Sequence, residues 1–186
     1  MLTPALYIIN AMDQFRSFDL LRVQELLVLR NGFWRPWYEL TDGQFSYGKL
    51  TYAGALKRNC ILETANRSWI VRRKSWIGRK LIIEQPDGME TGLITPEILS
   101  RKITLELNNG LTATFYNKKI LSRTYTWVSE QLGDILSVES KIWSRKQPFI
   151  IKIDPDMIKK VPELPLLALL GINLVLLKQA EAAATS

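Results

Sequence analysis

Leu164-Pro165-Leu166-Leu167-Ala168-Leu169-Leu170-Gly171-Ile172-Asn173-Leu174-Val175-Leu176-Leu177 decides the reading of this chain. Ten of these fourteen residues are branched aliphatics and none is charged. A helix apolar on every side must be surrounded, either by lipid or by the rest of its own protein. At about 1.5 Å per residue the stretch is roughly 21 Å long, short of the ~30 Å hydrocarbon core that a spanning helix crosses. It therefore reads as a buried core helix at about 164–180, with the charged turn around Lys178 and Glu181 outside the apolar surroundings. Burying ten such side chains is worth roughly 15–30 kcal/mol gross, before ordering entropy is subtracted. The rival is a tail anchor, which would seat 164–177 in lipid and leave the remaining chain without its core.

Upstream, from Phe33 onward, the text is short strands punctuated by turns, as an all-β domain reads. The clearest hairpin runs Ile103-Thr104-Leu105-Glu106-Leu107, Asn108-Asn109-Gly110, Leu111-Thr112-Ala113-Thr114-Phe115. A two-residue turn would put Leu105 and Phe115 on opposite faces. A three-residue loop pairs Leu107 with Leu111 and gathers Ile103, Leu105, Leu107, Leu111, Ala113 and Phe115 on one face, with glycine in the left-handed position. Gln85-Pro86-Asp87-Gly88 carries the same signature, and the same parity aligns Leu81 and Ile83 with Met89 and Leu93. Thr41-Asp42-Gly43 is a third turn. Further strands are expected at 44–52, 61–64, 68–73, 124–130, 135–140 and 148–153.

Residues 1–32 read differently, as a helical or irregular extension. Thr3-Pro4 is an N-cap followed by proline in the first helical position. Leu20, Leu21, Val23, Leu26, Leu27 and Leu29 suit a short helix stopped by Asn31-Gly32, although the apolar run 26–29 suits a buried strand equally well. The domain proper is then 33–186. Many antiparallel strands followed by one apolar helix fit a closed antiparallel β-barrel around a central hydrophobic C-terminal helix. Strands of about seven residues are roughly 23 Å long, which matches the helix, and closure removes sheet edges. A helix about 10 Å wide needs more strands around it than a barrel filled by side chains alone.

The chain has 186 residues, a net charge of +7, one cysteine and no histidine. That length supports one domain with a sizeable core. Lack of histidine removes the commonest general base, metal ligand and pH switch. Cys60 alone makes no intramolecular disulfide, and Met1-Leu2-Thr3-Pro4 opens without a basic signal region. The expected setting is cytoplasmic.

The succession 61–69 (Ile61-Leu62-Glu63-Thr64-Ala65-Asn66-Arg67-Ser68-Trp69), then 72–83 from Arg72-Arg73-Lys74-Ser75-Trp76 to Leu81-Ile82-Ile83, resembles the tubby C-terminal-like group. So do the turn at Asn109-Gly110 and the leucine-rich helix after Pro162 and Pro165. That group includes tubby, the phospholipid scramblases and the LURP-one-related plant proteins, and the similarity spans about 34–178. It implies about twelve strands around the central helix, and phosphoinositide binding at the cytoplasmic membrane face. Scramblases have acidic residues before the terminal helix, where this chain has Asp154-Pro155-Asp156. Their segment is longer and its further oxygen ligands are missing here, so no metal site is expected.

Arg67, Arg72, Arg73, Lys74, Arg79 and Lys80 place six cations in fourteen positions. Converging, they would make a phosphate-binding patch, extended by Lys118-Lys119 and by Arg101-Lys102. Dispersed, they are a solvated barrel exterior. Alternation sends Arg72 and Lys74 outward together, and a bulge is invoked to turn Trp69 and Val71 elsewhere. The six tryptophans, Trp34, Trp37, Trp69, Trp76, Trp127 and Trp143, read as core or rim, or as membrane-interface residues. Cys60 reads as a buried thiol without a base partner. Asn173, inside the apolar helix, is expected to cap or bond a barrel backbone group.

No phosphate loop, metal cluster or serine-hydrolase elbow is present. The expectation is a binding module, not an enzyme, with no cofactor. Its expected partner is anionic phospholipid at a membrane surface, held through Arg72, Arg73, Lys74, Arg79, Lys80, Lys118 and Lys119. The alternative is a protein partner, the chain acting as a regulatory scaffold without lipid activity. Nucleic acid is disfavoured, because basic charge is its only support.

Overall fold

The structure, a computed structural model, describes residues 14–53, 59–75, 78–97, 101–119, 122–141 and 144–184. Its first strands are β1 (Glu25–Asn31), β2 (Trp37–Thr41), β3 (Ser46–Ala53), β4 (Asn59–Thr64), β5 (Ser68–Arg73) and β6 (Leu81–Glu84). They continue with β7 (Glu90–Pro96), β8 (Ile103–Leu107), β9 (Thr112–Asn117), β10 (Thr124–Ser129), β11 (Gly133–Ser140) and β12 (Phe149–Ile153). Each strand pairs antiparallel with its sequence neighbours, and β12 closes on β1. A short helix, α1 (Pro155–Lys160), leads to the long helix α2 (Leu164–Ala184).

The β8–β9 hairpin has the expected three-residue loop. Ile103 faces Phe115 and Leu105 faces Ala113. The Leu107 N–H donates to the Leu111 carbonyl at 2.9 Å, and Gly110 takes φ +92°. Gly88 takes φ +88° in the β6–β7 turn, as its sequence requires. The register beyond that turn is corrected. A bulge at Ile83/Glu84 pairs Ile82 with Leu93 and Leu81 with Ile94, so neither Leu81 nor Ile83 aligns with Met89 or Leu93. The extra residue lies at Thr91, whose hydroxyl donates to the Ile83 carbonyl at 3.2 Å. A bulge moves every later partner by one position, which parity counted from the turn cannot foresee.

The proposed domain boundary at 33 also moves. Residues 25–31 form a barrel strand, with Leu26 and Val28 facing inward and fully buried. Their neighbours Leu27 and Leu29 face outward, the period of two that a strand requires. A helix over this run would leave β2 and β12 each with an unpaired edge, and β1 satisfies both. Leu20 and Val23, placed on that helix by the sequence reading, are exposed. The expected helix start at Thr3-Pro4 lies outside the described residues.

Inside the barrel, α2 is buried on all sides from Leu166 to Val175. It runs to Ala184, a turn beyond the expected end, because Gln179-Ala180-Glu181-Ala182-Ala183-Ala184 is composed of good helix formers. By length and composition α2 could cross a membrane, yet it fills the barrel instead. Its closest approach to the wall is at Gly171. A Cβ there would lie 2.8 Å from Val138 Cγ2 and 3.2 Å from Trp127 Nε1. The Trp127 indole N–H donates to the Leu167 carbonyl at 2.9 Å, tying β10 to the helix in a fully buried setting.

A cationic mouth at one end of the barrel

The two ends of the barrel differ. Connections 42–45, 65–67, 85–89, 108–111 and 130–132 lie at the end where α2 begins, together with 14–24 and α1, which cover it. Phe18 packs edge-on against Tyr47 there, with ring centroids 5.7 Å apart, and Arg16 N–H donates to the Ser46 carbonyl. Asp154 caps α1, its Oδ1 accepting from the Asp156 N–H at 2.9 Å. At the opposite end, where α2 emerges, lie residues 32–36, 74–75, 78–80, 97, 101–102, 118–119, 122–123, 141 and 144–148.

Charge is distributed as unevenly as loop length. Among the described residues, the connections at the mouth carry twelve cations against one carboxylate, Glu97. At the covered end, taken with the whole 154–163 stretch around α1, carboxylates outnumber cations, seven to five. A barrel polarised in this way presents its positive end to an anionic surface.

Within the mouth lies a cavity of about 940 Å³ between α2 and strands β3–β8. Its rim holds Arg73, Lys74, Arg79, Arg101, Lys102 and Lys178, and Arg72 reaches its edge. Of the expected cluster, Arg72, Arg73, Lys74 and Arg79 are thus brought together, with Arg101 and Lys102 beside them. No bulge is needed. β5 pairs in unbroken register with β4 and β6, and alternation alone turns Trp69 and Val71 inward while Arg72 points outward. The bulge invoked from the sequence is withdrawn, since residues 69 and 71 differ in parity from 72 and 74.

The members of the cluster are not equivalent. Arg72 is engaged by Glu84, its Nε donating to Oε2 at 2.8 Å and its Nη2 to Oε1. That fork holds the Glu84 carboxyl below its usual range and raises Arg72. Lys74 lies 3.8 Å from Glu90, a loose pair. Lys80 is exposed and does not line the cavity, although its carbonyl accepts from Lys74 N–H at 2.9 Å. Lys118 pairs with Asp134 at 2.6 Å and Lys119 is an exposed loop residue; neither lines the cavity. Arg67 is at the covered end, near Thr64 and Pro165.

Lys178 was missed as a site residue, because its charge was read only as the end of the apolar helix. Its Nζ donates to the Arg101 carbonyl at 3.2 Å and lies 5.6 Å from the Tyr125 ring centroid. Burial pushes its pKa down, Glu181 opposes that shift and Arg101 adds to it. Arg101 has φ +58°, alone in positive φ among the described non-glycine residues. A backbone so held at a rim is strain of the kind that gathers at binding sites.

Beneath the rim, the Tyr52 hydroxyl donates to Asn173 Oδ1 at 3.0 Å. The buried helical amide therefore bonds a barrel side chain, and the expectation of a backbone partner is corrected. Cys60 is buried next to it, and burial drives its thiol pKa up, which keeps it protonated and unreactive. Of the tryptophans, Trp69 and Trp127 are core, and Trp37 lies under Lys49 at 5.1 Å. Trp76 and Trp143 lie outside the described residues. Phe33 and Trp34, at 85% and 87% exposure, stack edge-to-face with each other on the 32–36 connection beside Arg35. No group of three or more metal-binding side chains occurs among the described residues. In comparisons with known proteins, the chain matches no family model, no curated protein and no solved structure.

Proposed function

We propose that this chain is a non-enzymatic binding module that docks peripherally, mouth first, on anionic phospholipid headgroups at the cytoplasmic face of a membrane. The observation that carries the reading is the concentration of cations at the mouth. Each lysine or arginine held near an anionic leaflet contributes about 1 kcal/mol. Phe33 and Trp34 supply the apolar and aromatic contact that anchors such a surface at the headgroup level. In this reading the chain is a distant relative of the tubby C-terminal-like group, a kinship that the twelve-stranded barrel around its terminal helix supports.

Vesicle co-sedimentation tests it, with neutral, phosphatidylserine and phosphoinositide vesicles at low and physiological salt and duplex DNA as competitor. Pelleting with anionic vesicles that persists at physiological salt is expected. Reversing Arg73, Arg79 and Arg101 to glutamate abolishes it, since each change moves two charges. Arg72 is excluded from the set because it is committed to Glu84. Pelleting that survives the triple reversal refutes the site. Pelleting that duplex DNA abolishes marks generic charge attraction. No pelleting at all turns the exposed Phe33–Trp34 pair toward the second reading, a protein partner.

A further inference from the structure

The cavity in the mouth has a second property that surface attraction does not require. Its floor is apolar, made by Cys60, Val71, Leu81, Ile103, Leu174 and Leu177. The reason lies in where the helix sits. Its main packing partners among the strands are β3, β4, β10 and β11. Space therefore opens on the β5–β8 side as α2 leaves the barrel, and inward residues of β5, β6 and β8 wall it. Nothing else in the described chain fills this crescent, and its volume of about 940 Å³ falls in the range of single small-molecule sites.

We infer that the crescent is a binding site for one monomeric, single-chain anionic amphiphile, a long-chain carboxylate or monoalkyl phosphate. The alkyl chain lies along Leu174 and Leu177 against Val71, Leu81 and Ile103. The head meets Lys178, Arg101 and Arg79 at the rim. Lys178 is suited to the head because it is half-buried, its ammonium set against the Arg101 carbonyl and the Tyr125 ring, with Glu181 on the next turn only partly offsetting the burial of its charge. A head group without a chain would leave the apolar floor wet, and a neutral chain would leave the rim's excess of cations over Glu97 and Glu181 unbalanced. Charge complementarity and the floor together select a molecule that has both. The inference rests on the reading above for the anion preference of the rim, and on the floor for everything else.

The test is titration of the full chain, by calorimetry below the critical micelle concentration, with octanoate, decanoate and dodecanoate. Dodecyl phosphate, dodecanol and inorganic phosphate complete the series. Affinity is expected to rise about fourfold for each buried methylene and to level off once the crescent is filled. Dodecanol is expected to bind about tenfold more weakly than dodecanoate, the worth of one charge-assisted hydrogen bond. Comparing dodecanoate with dodecyl phosphate identifies which head is preferred. Leu177→Glu, at a half-exposed wall position, is expected to lose chain binding. Lys178→Met weakens the anions and leaves dodecanol unchanged, which keeps the test decisive should the first variant misfold. Equal affinity for dodecanol and dodecanoate, or no dependence on chain length, overturns the inference. Phe33→Ser with Trp34→Ser separates the two proposals. Loss of vesicle binding with retained dodecanoate binding supports both assignments. Vesicle binding by the native chain without dodecanoate binding refutes the crescent alone, and the reverse refutes the surface reading alone.

Discussion

Gly171→Ala sets two effects of known size against each other. Alanine is favoured over glycine in a helix interior by about 1 kcal/mol, so an exposed helix would gain from the change. Position 171 is enclosed. The new methyl would stand 2.8 Å from Val138 Cγ2, inside any real contact distance, and 3.2 Å from Trp127 Nε1. Neither neighbour yields easily. Val138 is a fully buried β-branched residue with one preferred rotamer, and Trp127 is fixed by its bond to the Leu167 carbonyl. Overpacking costs about 1–3 kcal/mol, and with two unyielding neighbours the upper part of that range, about 2–3 kcal/mol, applies; less the propensity gain, the net is destabilisation of about 1–2 kcal/mol. Urea denaturation followed by circular dichroism measures it, and the melting temperature should drop by roughly 2–8 °C. In a Val138→Ala background the nearer obstruction is gone and the 3.2 Å approach to Trp127 Nε1 remains, so Gly171→Ala should cost markedly less there than in the native chain. The coupling energy between the two changes should then be about 1–2 kcal/mol. A Gly171→Ala variant more stable than the native chain refutes the close approach of helix and wall.

Two further perturbations probe the interior and the covered end. Asn173→Ala strands the Tyr52 hydroxyl and should cost about 1–3 kcal/mol in urea denaturation, whereas Asn173→Leu combined with Tyr52→Phe should recover most of the loss. At the β2–β3 turn, burial alone would raise Asp42. Hydrogen bonds from the Phe45 and Gln44 N–H groups and the Tyr47 hydroxyl outweigh it and hold the carboxyl below its usual value. Tyr47 is pushed up to about 12 by burial and by its bond to Asp42. The stability Asp42 contributes is thus complete above its unfolded value and falls as pH drops through the folded one. Tyr47's contribution is complete below its unfolded value of 10.0 and falls as pH rises through about 12. Asp42→Asn should flatten the acid limb of a stability–pH curve and Tyr47→Phe the alkaline limb; unchanged limbs would contradict the assignment.

How far the fold was legible depended on whether the deciding signal was local. The apolar helix, the glycine turns and the 103–115 register each rest on neighbouring residues, and the structure reproduces them. The β6–β7 register was not legible, because the bulge at Thr91 leaves no mark in residue type. β1 was half legible. Its run 26–29 suits helix and strand alike, and only the need to close β12 onto β2 decides between them. At the mouth, Arg72, Arg73, Lys74 and Arg79 are close in sequence and were grouped on that ground. That Glu84 engages Arg72, and that Asp134 engages Lys118, depends on cross-strand register invisible in composition. Lys178 joins the site from the far end of the chain, through the placement of a helix whose apolar stretch was clear and whose exit was not.

The order of elements along the chain has a kinetic consequence. Apart from β12 with β1, each strand pairing joins sequence neighbours, so the hairpins form from short-range contacts with little loop entropy to overcome. The helix those hairpins enclose follows every one of them, and closure brings together strands from opposite ends of the barrel. During synthesis, which proceeds from the N-terminus, the curved sheet is therefore assembled before its filling exists. Its inner face, lined by Leu26, Leu40, Leu50, Leu62, Ile83 and Leu105, meets water until α2 arrives. The nascent sheet is consequently at its most adhesive just before it becomes a closed barrel, and α2 is the segment that ends this exposure.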